Sequence, residues 1–282
     1  MLTHLLLIIL VISLKSVYEM SIEEFKTMLC DNTHEEEMLL KENIKHVDHR
    51  NEQGFKNIYI PTNFDIRTKY GSCIHPIRNQ GACGSCWAHT TSEVMSDRFC
   101  MSSGGAINVV LAPQYLVSCD TYDSGCEGGF GPTSFRFVLE TGIVTEACCP
   151  YKAVDSQCPT TCADGTAISN ANLYKCAPNS VYQANDSDSI KIELMQNGPM
   201  YCRFDVYADF KDYKSGIYYV TSKSFLGGHA VKLLGWGREN GIEFWVMQNS
   251  WGDGWGENGN FRIKVGAGGI CSFAVGCKPQ IN

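Results

Sequence analysis

The chain has 282 residues, of which 44 % are hydrophobic and 19 % charged, with a formal net charge of -7. That length makes one large domain or two modest ones, and the composition is that of a soluble globular protein with ample material for a core. It excludes a mainly disordered chain, a collagen and a polytopic membrane protein, and the acidic balance disfavours a general nucleic-acid binder, which carries a basic surface.

Taken in chain order, the first feature is the apolar, uncharged run Leu5 to Leu14. About ten residues is signal-peptide length and half of what a helix needs to span a bilayer, so residues 1–16 read as a signal peptide rather than a retained anchor. Fifteen cysteines agree with an oxidising compartment, since no paired zinc pattern accounts for them. The number is odd, so at least one thiol stays unpaired if every bridge is intramolecular.

Residues 17–60 are polar, strongly acidic and free of proline. Ser21-Ile22-Glu23-Glu24 reads as a capping box, and Ile22, Phe25, Met28 and Leu29 follow helical spacing. A second helix is expected from about Glu35 to Val47. Such short helices need a partner surface, either as an N-terminal subdomain or as a removable segment. From Pro61 the chain turns rich in glycine, cysteine and aromatics. Gln80 to Cys100 reads as a loop entering a helix, and Ala112–Cys119, Thr133–Thr141 and Ser189–Gln196 as further helices. β-like runs follow at Tyr201–Tyr207, Gly216–Val220, Ala230–Trp236, Phe244–Asn249 and Phe261–Val265. Helices first and strands second make an α+β pattern, in two packed lobes or subdomains.

The strongest local signal is Gln80-Gly81-Ala82-Cys83-Gly84-Ser85-Cys86-Trp87. The glycines allow a tight loop and place Cys86 in the first turn of the next helix. Unpaired N–H groups and the helix dipole there stabilise a thiolate, the nucleophilic form of cysteine. A nucleophile of this kind needs a base and a group that orients the base. His229, in Gly227-Gly228-His229-Ala230, supplies the imidazole. Asn249, in Asn249-Ser250-Trp251-Gly252, supplies an amide oxygen to hold one ring nitrogen, with Trp251 to shield that bond. His89, three residues past Cys86, is a nominal rival base but lacks an orienting amide. The Gln80 side chain and the Cys86 N–H can together donate to an oxyanion. The competing reading of Cys83 and Cys86 as a redox pair lacks a thioredoxin-like βαβ context.

These motifs resemble the papain-like cysteine peptidases, and among them the cathepsin B-like branch, over essentially all of residues 61–282. The sequence C-G-S-C-W surrounds the nucleophile in that family, and Cys86 and His229 are about 143 residues apart, within its usual separation. Pro61-Thr62-Asn63-Phe64-Asp65-Ile66-Arg67 resembles the mature N-terminal strand, and Ser96-Asp97-Arg98-Phe99-Cys100 the end of the central helix. Cys126-Glu127-Gly128-Gly129 is similar to the turn that pairs with substrate backbone. Ser215-Gly216-Ile217-Tyr218 and Gly235-Trp236-Gly237 fit the C-terminal lobe.

The resemblance implies a papain-like two-lobe fold: a helical left lobe, a β-barrel-like right lobe and an active-site cleft between them. It implies catalysis by Cys86, His229, Asn249 and Gln80, without metal or organic cofactor. It implies a cleft lined by Gly128, Gly129, Phe130, Arg203, Gly228, Ala230, Trp251 and Phe273. Residues 17–60 become an inhibitory prosegment, cleaved between about Gly54 and Pro61, and residues 61–282 the mature peptidase. Protonation of prosegment carboxylates in an acidic vesicle would favour its release. The implied disulfides are Cys73–Cys100, Cys83–Cys126, Cys119–Cys158 and Cys148–Cys162, with Cys86 free. Cys30, Cys149, Cys176, Cys202, Cys271 and Cys277 have no assignable partner.

Three departures bear on specificity. Only Cys149 to Gln157 stands where cathepsin B carries a long His-His insertion that confers dipeptidyl-carboxypeptidase activity, which implies an open cleft and endopeptidase action. Phe273 stands where cathepsin B has an acidic pocket residue, which favours hydrophobic side chains. Arg203 replaces a small or apolar pocket residue, and either reaches solvent or admits an acidic side chain. Asn185-Asp186-Ser187 is an N-glycosylation sequon. The expected partners are protein or peptide substrates, the chain's own prosegment and cystatin-type inhibitors, with a monomer in a lysosome, vacuole or other acidic vesicle, or outside the cell. The alternative from another class is a non-catalytic papain-like binding protein, which usually lacks the nucleophile.

Overall fold

The computed structural model describes residues 16–30, 44–48, 58–169 and 173–281. The Leu5–Leu14 run, residues 35–43 of the expected second helix and most of the expected prosegment cleavage region lie outside these. No helix among the described residues is long and apolar enough to cross a membrane.

The first helix, α1 (Ile22–Lys26), starts on the capping box: Ser21 Oγ accepts from the Glu24 N–H at 3.2 Å and the Glu24 carboxylate accepts from the Ser21 N–H at 2.7 Å. Lys45–Val47 is a strand, β1, and not the end of a helix. Its partner is remote in sequence: it runs parallel to β3 (Tyr182–Ala184), so a tertiary pairing overrides the local pattern.

After β2 (Phe64–Asp65) and the short helix α2 (Arg67–Tyr70), the long helix α3 (Cys86–Ser102) crosses the molecule. Its residues Cys86 to Cys100 are all buried, so its polar side chains must find partners inside. Asp97 accepts from Lys232 Nζ at 2.7 Å and lies 2.7 Å from His75 Nδ1. Arg98 donates to the carbonyls of Pro199, Gly198 and Cys277 at 2.7, 3.1 and 2.8 Å, tying the helix to the sheet lobe. Helices α4 (Pro113–Cys119) and α5 (Gly131–Glu140) start on proline-containing first turns, where the missing N–H costs nothing. Helix α6 (Ser187–Asn197) is capped by the Asp186 carboxylate accepting from Ser189 N–H at 3.0 Å.

The remaining strands are β4 (Met200–Tyr207), β5 (Ile217–Tyr218), β6 (Phe225–Glu239), β7 (Ile242–Gln248), β8 (Asn260–Lys264) and β9 (Ala274–Gly276). Among the described residues the sheet runs β1-β3-β9-β4-β6-β7-β8-β5, with β2 paired to the far half of β6. Its ends, β1 and β5, do not pair, so the β lobe is an open sheet where a barrel-like one was expected. Two apolar cores flank the junction. One holds the helical lobe around Trp87, Phe99, Leu116 and Phe135, and the other the sheet lobe around Phe204, Phe210, Trp255 and Phe261. The architecture is a two-lobe α+β fold with α3 along the seam.

Candidate active site

Cys86 is the first residue of α3, and the loop before it is held from three sides. Cys83 is bonded to Cys126, which excludes a Cys83–Cys86 redox pair. The Gln80 N–H donates to the Ser250 carbonyl at 2.9 Å, and Gly252 N–H to the Arg78 carbonyl at 2.9 Å, linking the loop to the turn after β7. Tyr151 Oη lies 2.7 Å from the Gln80 carbonyl and 2.6 Å from Ser85 Oγ. Gly84 is required by crowding: a Cβ there would meet the Cys126 oxygen at 2.5 Å and the Leu29 oxygen at 2.9 Å.

His229 sits on β6, opposite Phe204 of β4, and Asn249 follows β7. His229 Nε2 and Asn249 Oδ1 are 2.7 Å apart, which fixes that nitrogen as the N–H donor. Nδ1 is buried without a partner among the described residues. The Trp251 ring stacks on the imidazole at 4.5 Å between centroids and 28° between planes, covering the His229–Asn249 bond. Burial pushes the His229 pKa down to about 4, against the opposing pull of the Asn249 hydrogen bond. The ring is therefore neutral in this structure above that pH. His89 faces elsewhere, with Nδ1 at 3.1 Å from the Ser85 carbonyl and its ring edge-on to Tyr151 at 4.5 Å.

Residues 16–30 run through the cleft. Phe25 is fully buried, edge-on to Trp251 at 5.0 Å. The Met28 carbonyl accepts from Gln80 Nε2 at 2.8 Å, so a main-chain carbonyl sits on the amide expected to bind an oxyanion. Cys30 pairs with Gly228 in an antiparallel bridge, its N–H donating at 2.9 Å and its carbonyl accepting at 3.0 Å. Cys30 is bonded to Cys86, their Cα atoms 7.0 Å apart. This overturns the expectation that Cys86 is free. The sequence alone could not pair two cysteines 56 residues apart. Tyr18 anchors the upstream end, its hydroxyl donating to the Tyr213 carbonyl at 2.9 Å and its own carbonyl accepting from Lys211 Nζ at 3.0 Å.

The other expected cleft residues fall into two groups. Phe130, Ala230 and Phe273 are buried in the same apolar cluster as Cys30 and Cys86, with Phe130 and Phe273 ring centroids 5.5 Å apart. Arg203 lies over Gly228, where a Cβ would meet its Nη2 at 2.9 Å, and its guanidinium is 3.7 Å from the Asp205 carboxylate. Gly128 adopts φ +132°, and a Cβ on Gly129 would collide with the Trp87 ring. Asp123 fixes this turn by accepting from Phe130 N–H and Thr133 Oγ1, both at 2.8 Å. Burial and the neighbouring Asp120 charge raise the Asp123 pKa well above the usual range, while burial lifts Asp120 to about 6.

The remaining bridges are Cys73–Cys100, Cys119–Cys158, Cys148–Cys162, Cys176–Cys277 and Cys202–Cys271, leaving Cys149 as a buried free thiol. Asn185 is exposed, within 3.2 Å of His46 Nδ1. Sequence reasoning missed Ser250, whose hydroxyl donates to Gln80 Oε1 at 2.7 Å. Its only signal was adjacency to Asn249.

Residues 60–278 match the family described as papain family cysteine protease. Cathepsin B-like CP3 of Giardia intestinalis is 41 % identical over 208 residues, covering 72 % of this chain and 69 % of its own. Cathepsin B-like cysteine proteinase 4 of Caenorhabditis elegans is 36 % identical over 255 residues, covering 79 % of this chain and 76 % of its own. Among solved structures, procathepsin B S9 from Trypanosoma congolense superposes with a TM-score of 0.82 at 29 % identity, covering 93 % of this chain and 90 % of that one.

Proposed function

The chain belongs to the papain family of cysteine proteases, in its cathepsin B-like branch, and on that premise we propose that it is a zymogen whose mature form cleaves internal peptide bonds. The observation that carries this reading is the Met28 carbonyl accepting from Gln80 Nε2 at 2.8 Å, two residues before the Cys30 that is bonded to Cys86. A peptide carbonyl held there has its oxygen on the amide donor that an oxyanion would need. Once an external thiol has reduced the Cys30–Cys86 bridge to two thiols, itself becoming a disulfide, and residues 17–60 are displaced, a substrate carbonyl takes that place.

Cys86 thiolate then attacks the carbon, and the oxygen's developing charge is met by the Gln80 amide and the Cys86 N–H. His229, its Nε2 held by Asn249, carries a proton on Nδ1 to the leaving amine. It then takes one from the water that hydrolyses the acyl-enzyme. With the segment lifted, His229 regains solvent, and the desolvation that keeps it neutral is relieved.

Three features support endopeptidase action with an apolar second pocket. The Cys149–Gln157 stretch is tied back to the body, with Asp155 accepting from Cys126 N–H at 2.8 Å and the Val154 carbonyl from Gln114 at 2.9 Å. Phe130, Ala230 and Phe273 offer aromatic and aliphatic walls. Arg203, 15 % exposed beside Gly228, adds a positive rim that disfavours basic side chains. The bridges and the family support a secretory or lysosomal protein, and an acidic vesicle or the extracellular space is the proposed site of action. Digestion of an internally quenched peptide blocked at both ends tests the reading. Internal cuts after apolar second residues are expected, and no cut in the blocked peptide, with C-terminal dipeptides released only from its counterpart with a free C-terminus, would refute it.

A further inference from the structure

Cys30 has no role in the peptidase reading, yet it occupies a closely held position of the N-terminal segment. Both its backbone polar groups are spent on Gly228, its sulfur lies 3.7 Å from the Gly84 carbonyl, and the preceding Met28 carbonyl is held by Gln80. These contacts fix the Cys30 side chain over the first turn of α3, where Cys86 carries its sulfur. The residues are 4 % and 0 % exposed and are bonded to each other. A blocking segment needs only to fill the cleft. This one is also joined covalently to the atom that would do the chemistry.

We infer that Cys86 is a thiol-exchange site as well as the nucleophile, and that Cys30 is its latch, opened by a small or protein thiol. The inference rests on the zymogen reading above. The bridge is made during folding, when two thiols pass two electrons to a protein or glutathione disulfide. It is undone in two steps. An incoming thiolate attacks the Cys30 sulfur, the Cys30–Cys86 bond breaks, and the electron pair leaves on Cys86. Exchange runs fastest towards the better leaving group, and a thiolate at a helix N-terminus is the better one. A second thiolate then attacks the mixed disulfide on Cys30, releasing the oxidised reductant and a free Cys30 thiol. Two thiols become one disulfide and the Cys30–Cys86 bridge becomes two thiols, so the electrons balance.

Two consequences distinguish this latch from ordinary inhibition by a bound segment. Cutting the chain between residues 48 and 58 does not free the cleft, because the fragment carrying Cys30 remains bonded to the nucleophile. The buried bridge also keeps Cys86 from forming other oxidised species while the enzyme is stored.

The test uses the full chain from an oxidising expression host. Unreduced protein is alkylated with N-ethylmaleimide under denaturing conditions and mapped by peptide mass. The expected result is a Cys30–Cys86 linked peptide, with Cys149 the alkylated thiol. The linker is next cut by an added protease without thiol. The wild type is expected to stay inactive with its N-terminal fragment attached, and glutathione to produce an adduct on Cys30, then fragment release and activity. Cys30→Ser, cut in the same way, is expected to be active without thiol. Alkylated Cys30 and Cys86 in the unreduced wild type would overturn the latch, as would equal thiol dependence in wild type and Cys30→Ser. A linked peptide that opens normally but yields no peptidase activity would leave the exchange site standing and sink the peptidase reading.

Discussion

Ser250 gives its hydroxyl proton to Gln80 Oε1 at 2.7 Å while its N–H donates to Asn249 Oδ1 at 2.8 Å. One residue thereby aims two groups on opposite sides of the cleft. Holding Oε1 turns the Gln80 amide nitrogen toward the Met28 carbonyl, and loading Oδ1 fixes the amide that holds His229 Nε2. Ser250→Ala removes a neutral hydrogen bond of about 1 kcal/mol, so kcat of the activated enzyme is expected to fall about fivefold. KM is expected to change little, because the donor matters most once charge develops. A raised KM with kcat unchanged would place the serine in substrate binding instead.

Phe25 is the main apolar anchor of the blocking segment, fully buried against Trp251. Phe25→Ala is expected to weaken the covered state by about 3 kcal/mol. In buffer containing a thiol, labelling of Cys86 in the intact zymogen is then expected to speed up by about a hundredfold. An unchanged labelling rate would mean that the segment is held by its backbone contacts alone.

The buried histidines and carboxyls set opposite pH slopes. His229 and His89 have folded pKa values lowered to about 4 and about 3, chiefly by burial. The unfolded chain binds more protons than the folded one below about pH 6.5, so their contribution is present above that pH and is lost on acidification. Glu93 and Asp120 are raised to about 7 and about 6, again chiefly by burial. Their contribution is full below their unfolded values near pH 4 and is lost as pH rises through the folded ones. Asp120→Asn mimics the protonated form and removes part of that loss. Its Tm, relative to wild type, is expected to be higher at pH 7.5 than at pH 4.5. A uniform shift at both would exclude a bound proton at this site.

Arg203 beside Gly228 is expected to bias the second pocket against basic side chains. Arg203→Ala should raise kcat/KM for a peptide with lysine at that position relative to one with glutamate by about fivefold, the ~1 kcal/mol of one charge interaction near the surface. No change in the ratio would put the guanidinium in solvent.

Much of the site is legible in the sequence because each candidate catalytic group sits in its own short motif: Cys86 in a glycine loop entering a helix, His229 after two glycines, Asn249 in Asn-Ser-Trp-Gly. What stayed hidden depends on contacts between distant segments. Ser250 meets Gln80 across 170 residues. Cys30 meets Cys86 because the Gly228 bridge puts it there, and no spacing rule contains that. Residues 45–47 become a strand only beside Tyr182–Ala184, and Arg98, a charged residue in a buried helix, is explained only by three carbonyls from the other lobe. Local pattern carries motifs and element types, while pairing belongs to the fold.

The central claim is that Cys86 and His229 form an activated pair once the cleft is uncovered. The most direct measurement is labelling of the cut, reduced enzyme with a thiol-directed epoxide inhibitor, followed by peptide mass mapping. Modification at Cys86 alone, abolished in His229→Ala, is the result expected. A folded, reduced enzyme freed of residues 17–60 that takes no label at Cys86 would contradict the account and bring the non-catalytic binding reading forward.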